Sequence, residues 1–301
     1  MRTSTKALLA ALVSNTAFGL SFLFVKVALD RAVPTVLLTI RFVLAFAILS
    51  LLLLTGRQKV SFRGKPVGKL LLMGFIQPVI YFICETNGIA LTTASFSGVM
   101  IGLIPVAGVI VGVLFLKERC NALQALFTAG SVVGVAMTTT GGFGNFSLPG
   151  FLYLVGAVLA AATFTAISRS LSGVFSAFER TYAMTFMGAT VFTVTALFRN
   201  WGNAAAWAQP LTQPGFWAAI LYLAGLSSVC AFLLFNYAVN HLSAGHASVM
   251  SNVTTVVSVL AGIFILGDTF TPLQLLGIAV IVLSVLGVSW QNGKIAQGDR
   301  A

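Results

Sequence analysis

Acidic residues are scarce in this chain. There are six Asp and Glu in 301 residues, against 17 Lys and Arg, so charged residues make up only 8%. A soluble globular chain carries about 25%. So little charge cannot cover a water-facing surface, which excludes a cytosolic enzyme, a secreted disulfide scaffold and a disordered chain. Histidine (two) and cysteine (three) are also rare. Cys84, Cys120 and Cys230 form no CxxC pair, and two of them lie inside apolar runs, so neither a disulfide framework nor a metal site is expected. Also missing are a Walker A loop, HExxH and GxSxG, so no ATP-driven pump, no catalytic residues and no cofactor are expected. The glycine spacing of GGFGNF at 141–146 sits in a short turn between apolar runs, not between a strand and a helix, and is no phosphate loop.

What the chain has is hydrophobicity. Apolar residues make up 58% of it, and the mean hydropathy is +1.01. The net charge of +11 does not point to nucleic acid, because the bases lie in short connections between apolar runs and no binding motif accompanies them. The partner implied is the lipid bilayer. An apolar helix needs roughly 20 residues to cross it. Ten such stretches are read at about 7–29, 34–55, 69–90, 95–116, 122–140, 149–168, 179–200, 215–239, 245–267 and 272–290. They are continuously apolar rather than alternating, which predicts helices and not barrel strands. Pro34, Pro149 and Pro272 stand at or near first turns, where a missing N–H costs nothing. Arg2, Lys6 and the apolar run after them resemble a signal peptide. The apolar character resumes beyond Asn15, so this stretch is read as a retained first span. The connection at 201–214 is read as a loop, flanked by interfacial Trp201, Trp207 and Trp217.

Basic residues orient the bundle. With a cytoplasmic N-terminus, thirteen fall inside: Arg2, Lys6, Arg57, Lys59, Arg63, Lys65, Lys69, Lys117, Arg119, Arg169, Arg180, Lys294 and Arg300. Three fall outside (Lys26, Arg31 and Arg199), and Arg41 lies within the second span. The asymmetry satisfies the positive-inside rule and puts both termini in the cytoplasm.

The chain also repeats itself. Residues 94–137 align without gaps to 244–287, an offset of 150, with 13 identities in 44 positions. Glu118 and Asp268 align in the connections that close spans four and nine, and Lys26, late in span one, has a looser counterpart in Arg169, late in span six. Five spans per unit is an odd number, so the second unit enters the membrane from the opposite side, which is a plan of secondary transporters. The expected fold is therefore an all-α integral membrane protein of ten transmembrane helices in a 5+5 inverted repeat, with units at 1–140 and 141–301.

Three stretches and the repeat together resemble one known family. FGLSFLFVKVAL in span one, ASFSGVMIGLIPVAGVIVGVLFLKER across span four, its partner AGHASVMSNVTTVVSVLAGIFILGDTFTPLQLLG and the 5+5 repeat are similar to the ten-helix EamA branch of the drug/metabolite transporters. The resemblance covers roughly 7–290. It implies a central cavity between the halves, spans five and ten at the periphery, a bacterial inner membrane, and export of amino acids or similar small metabolites. Glu85 departs from the family pattern and must be argued from physics.

Charge inside a membrane is costly and marks function. Arg41 and Glu85 fall at similar depths near the outer end of spans two and three. They either bind a zwitterion or anion, with Glu85 relaying a proton, or neutralise each other as a structural pair. Gln77, Tyr81 and Glu85 follow at helical spacing and share a face. Uncharged polar groups near span centres include Asn15, Ser227, Ser228, Asn236, Asn252 and Thr254, which either line a wet cavity or bond neighbouring helices. Phe18, Phe22, Phe82, Phe164, Tyr153 and Tyr237 are candidate apolar walls, and His246 is read as a helix-end group. The expected substrate site comprises Asn15, Phe18, Arg41, Gln77, Tyr81, Glu85, Asn236 and Asn252. Pro78 and Pro105 predict kinks in spans three and four, which with eight and nine form the expected moving gate. A membrane-embedded enzyme on lipid-linked substrates and a lipid flippase are the competing functions.

Overall fold

A computed structural model describes residues 3–56, 58–116, 121–140, 147–242 and 244–298. Glu118 and the side chain of His246 lie outside the described residues. The elements are α1 Thr3–Leu29, α2 Pro34–Leu54, α3 Val67–Leu91, α4 Ala94–Ile101, α5 Ile104–Leu116, α6 Ala122–Thr140, α7 Leu148–Leu171, α8 Ala177–Arg199, α9 Ala204–Leu211, α10 Pro214–His241, α11 Ala244–Ala261 continued by a π turn at Gly262–Leu266, and α12 Pro272–Gly298. No strand occurs among the described residues. Among the described residues six helices (α1, α2, α3, α7, α8 and α10) are long and apolar enough to cross a membrane, and four shorter apolar helices accompany them.

The bundle exposes large apolar side chains while burying charged and polar ones. Leu54, Phe198 and Phe264 are 82%, 79% and 79% exposed, while Arg41, Arg180, Glu85 and Asn236 are buried. In lipid the apolar side chains need no shelter, and the polar ones need partners inside the protein. The protein therefore offers a hydrocarbon-compatible surface, and an apolar helix-packing core that encloses its polar groups.

Proline and π turns break the helices where polar groups gather. Gln77, just before Pro78, takes extended angles (φ −135°, ψ 114°) inside a π turn at Phe75–Ile80. A second π turn, Tyr222–Ala231, interrupts α10. Each begins eight residues after its helix starts, at Val67 and at Pro214. Extra residues in a turn re-aim the side chains that follow, a common device at functional sites. Span four is likewise split into α4 and α5 at Gly102–Leu103, just ahead of Pro105. One element departs from expectation. The stretch read as a loop at 201–214 contains α9, started by Asn203, whose side chain accepts the Ala206 N–H at 3.2 Å, and carried by the helix formers Ala204–Ala206.

Most of the large helix contacts cross the two sequence halves: they join α1 to α10 and α11, α2 to α8, α3 to α7, α4 to α11 and α6 to α12, while α11 also packs on α12 within its own half. Two cations fix helix ends, Lys26 half-buried and Arg180 fully buried. Lys26 Nζ on α1 donates to the Ile89 and Thr92 carbonyls at 3.1 and 2.7 Å, closing the C-terminus of α3. Arg180 on α8 donates to the Ser168 carbonyl and hydroxyl at 2.8 and 2.6 Å, to the Asn236 carbonyl at 2.9 Å, and to the Asn240 side chain, closing the ends of α7 and α10. A cation suits the partial negative charge of a helix C-terminus. Arg180 thus does for α7 and α10 what Lys26 does for α3.

These bonds define two ends of the bundle. One end holds Asp30, the Thr92–Thr93 turn, Asn200 (bonded to Thr35 at 3.1 Å) and Asp268, and is called the Asp30 face. The other holds the Lys65–Glu179 ion pair at 2.8 Å. Glu179 closes a capping box with Ser176, and also accepts the Ser61 N–H at 2.9 Å. It thereby ties the α2–α3 connection to the start of α8. Glu179→Ala is expected to lower stability by about 2 kcal/mol through loss of these charge-assisted bonds. Reversible unfolding in mixed micelles measures this, and an unchanged midpoint would show the clamp to be idle.

Candidate functional site

A cavity of about 290 Å³ lies at the centre of the bundle. Its wall is drawn from both halves: α1, α2, α3, α4 and α5 on one side, and α7, α10 and α11 on the other. Its deep end is polar. Arg41, 1% exposed, donates from Nε to Ser228 Oγ at 2.8 Å and from Nη2 to Ser227 Oγ at 3.2 Å. Both serines sit in the π turn of α10. The guanidinium carbon also stands 4.3 Å from the Phe82 ring centroid, so an aromatic face supplies part of the lost hydration. Glu85, 3% exposed, accepts the Tyr81 hydroxyl at Oε1, 3.0 Å away.

Arg41 and Glu85 do not form an ion pair. Arg41 Nη1 and Glu85 Oε2 are both buried, and neither has a hydrogen-bond partner in the protein. The reading of a self-neutralising structural pair is thus replaced by two separately held charges. Each is fixed by neutral hydroxyls and keeps one atom unused. Unsatisfied buried charged atoms are costly, so two of them on one cavity wall mark positions that a guest's opposite charges can fill.

Around these poles the wall is apolar and aromatic. Phe18 meets Phe232 edge-on at 5.0 Å and Phe235 at 6.0 Å between centroids, and Phe22, Phe82 and Phe164 complete the lining. Asn15 holds α1 to α11: its Nδ2 donates to the Ala11 carbonyl at 2.7 Å and its Oδ1 accepts the Thr254 hydroxyl at 3.0 Å. From the poles the cavity runs past Ile104, Gly108 and Thr165 to Arg169, Val239 and Ser251, in the direction of the Lys65–Glu179 face.

Six of the eight expected site residues meet on this wall: Asn15, Phe18, Arg41, Gln77, Tyr81 and Glu85. Two do not. Asn236 is fully buried in a separate network, accepting from Ser168 Oγ at 3.1 Å, donating to Thr181 Oγ1 at 3.0 Å and offering its carbonyl to Arg180. Asn252 is buried off the wall, while its neighbours Ser251 and Thr254 are on it. Tyr153 is exposed on the bundle's outside, and the Tyr237 ring lies tilted against His241 at 4.3 Å between centroids. Arg169, Thr165 and Ser251 were not expected. Ala161, Thr165 and Arg169 recur every fourth residue, a spacing that puts them on one helix face. Among the described residues no group of His, Cys, Asp or Glu could hold a metal.

A multi-pass helical bundle with an apolar rim, buried polar groups and a central cavity is the construction of a small-molecule carrier in a membrane. The EamA-like transporter family matches residues 5–140 and again 148–290, and the chain belongs to it. It is 33% identical over 288 residues to the uncharacterized transporter YcxC of Bacillus subtilis (strain 168), covering 94% of this chain and 92% of that one. An uncharacterized transporter of Archaeoglobus fulgidus is 22% identical over 272 residues, covering 90% and 94%. A solved crystal structure, 15% identical, superposes with a TM-score of 0.62 over 94% of this chain and 97% of that one, a likeness of fold.

Proposed function

We propose that the chain is a secondary transporter that moves small polar metabolites, with amino acids the class best suited to the site, out across the bacterial inner membrane by alternating access. The observation that carries this is the pair of unpartnered charged atoms, Arg41 Nη1 and Glu85 Oε2, on one cavity between the two halves. A carboxylate answers the first and an ammonium the second, and the phenyl-rich wall accepts an apolar side chain.

In this reading the six long and four shorter apolar helices are ten spans, divided into inverted units at 1–140 and 141–301. The packing supports it. Exchanging the halves carries the α1–α11 contact onto that of α7 with α4 and α5, and the α3–α7 contact onto that of α10 with α1. The α2–α8, α4–α11 and α6–α12 contacts map onto themselves. The matched π turns of α3 and α10 obey the same exchange. The excess of Lys and Arg makes the Lys65–Glu179 face the cytoplasmic one, with both termini on that side.

A thermal-shift series on the purified protein tests the site, because a ligand that binds only the folded state raises the melting point. Zwitterionic amino acids are expected to stabilise the protein at concentrations about 100-fold below those needed by the corresponding amines or carboxylic acids, since each half-molecule leaves one buried charge unanswered. Equal stabilisation by the half-molecules would overturn the two-pole site.

A further inference from the structure

Toward the Asp30 face, helices from opposite halves mesh through glycines on one side and small hydroxyl side chains on the other. A Cβ on Gly98 of α4 would stand 1.7 Å from Ser258 Oγ of α11, and one on Gly102 would stand 2.2 Å from Thr255 Oγ1. The roles then reverse: a Cβ on Gly262 would stand 1.8 Å from Ser95 Oγ. Hydroxyls of each helix fill spaces that only glycine leaves on the other. Thr255 Oγ1 also donates to the Gly98 carbonyl at 3.4 Å. At the end of this seam Asp268 Oδ2 accepts the Ser95 N–H at 3.2 Å, on the first turn of α4, where a carboxylate also meets the positive end of the helix.

Past this seam the wall is open. Gly108 on α5 lines the cavity, and no atom lies within 4 Å of where its Cβ would stand. The 150-residue offset pairs Gly98 with Ser248 and Gly108 with Ser258. The Gly98–Ser258 contact therefore has a counterpart in the sequence, Ser248 with Gly108, again one glycine and one hydroxyl.

We propose that the α4–α11 seam is the gate on the Asp30 face, latched by the Asp268 carboxylate, and that Gly108 is the seat on which α11 closes in the opposite state. The proposal rests on the alternating-access reading above. A seam of small residues and hydroxyls suits this work. It packs closely when shut and separates without exposing large side chains, and interlocking contacts favour two discrete arrangements over a continuum.

The test is the accessibility of one thiol from each side of the membrane. With Cys84, Cys120 and Cys230 changed to Ser, Ala161→Cys places a reporter on the cavity wall, read with a membrane-impermeant maleimide in right-side-out and inverted vesicles. The parent is expected to react chiefly from the Lys65–Glu179 face. Gly98→Val wedges the seam and is expected to raise reaction from the Asp30 face about tenfold or more. Asp268→Ala adds no bulk, removes only the latch, and is expected to raise it about fivefold. Gly108→Val blocks the opposite closure and is expected to suppress reaction from the Asp30 face below the parent. One-sided reaction in the parent that all three variants leave unchanged overturns the gate and spares the carrier. Equal reaction from both faces in the parent overturns alternating access itself.

Discussion

Arg41→Met is expected to cut substrate exchange in proteoliposomes by about 100-fold or more while leaving the protein folded. The side chain that departs is the only guanidinium at the deep end of the cavity, and a charge-assisted bond inside a low-dielectric site is among the strongest a transporter can offer. Ser227 and Ser228, freed of Arg41, can turn to carbonyls of their own helix, as hydroxyls in membrane helices do. Methionine keeps the packing against Phe42 and Phe82. The melting point without substrate should therefore hold, and the rise that substrate produces should vanish. Arg41→Lys is expected to rescue poorly, because one ammonium cannot hold two serines and a guest carboxylate in the geometry of a planar fork. Unaltered exchange by Arg41→Met would remove the first pole of the site.

Arg180→Met is the second large effect, and it differs in kind. Arg180 is as deeply buried as Arg41 but lies off the cavity wall, and its donors hold the ends of α7 and α10. Its loss leaves the Ser168 and Asn236 carbonyls without their donor at the point where Asn236 also binds Thr181. The expected cost is about 3 kcal/mol or more, seen as a large fall in melting point. Substrate affinity of the protein that remains folded should change little. A folded, stable variant with lost binding would instead place Arg180 in the site. Together the two arginines separate recognition from architecture by paired readouts of stability and affinity.

Much of this was legible in the sequence, and the reasons differ by feature. Helix positions followed from apolar run length and from Pro34, Pro149 and Pro272, because the bilayer fixes how long an apolar helix must be. Glu85 and Tyr81 were found together because helical spacing puts them on one face and a membrane charge demands a reason; Gln77 reaches the same wall although its extended backbone breaks that spacing. Asn236 and Asn252 misled because a polar residue in mid-span looks the same in sequence whether it faces a cavity or a neighbouring helix. Only rotation about the helix axis decides, and the hydropathy of these spans is too uniform to show it. Arg180 was read as one more flanking base, since its burial depends on the packing of α7, α8 and α10. The Asp268–Ser95 contact joins residues 173 apart in sequence, from opposite halves, and local spacing carries no trace of it. The α9 helix was missed because its eight residues are too few for an apolar period to register.

The most direct test of the account is counterflow. Proteoliposomes holding the purified chain, preloaded with unlabelled amino acid, should take up the same amino acid in radiolabelled form saturably, without ATP, and lose that uptake with Arg41→Met. Movement of fluorescent phospholipid between leaflets with no saturable amino-acid exchange would contradict it, and would make the cavity a path for lipid instead.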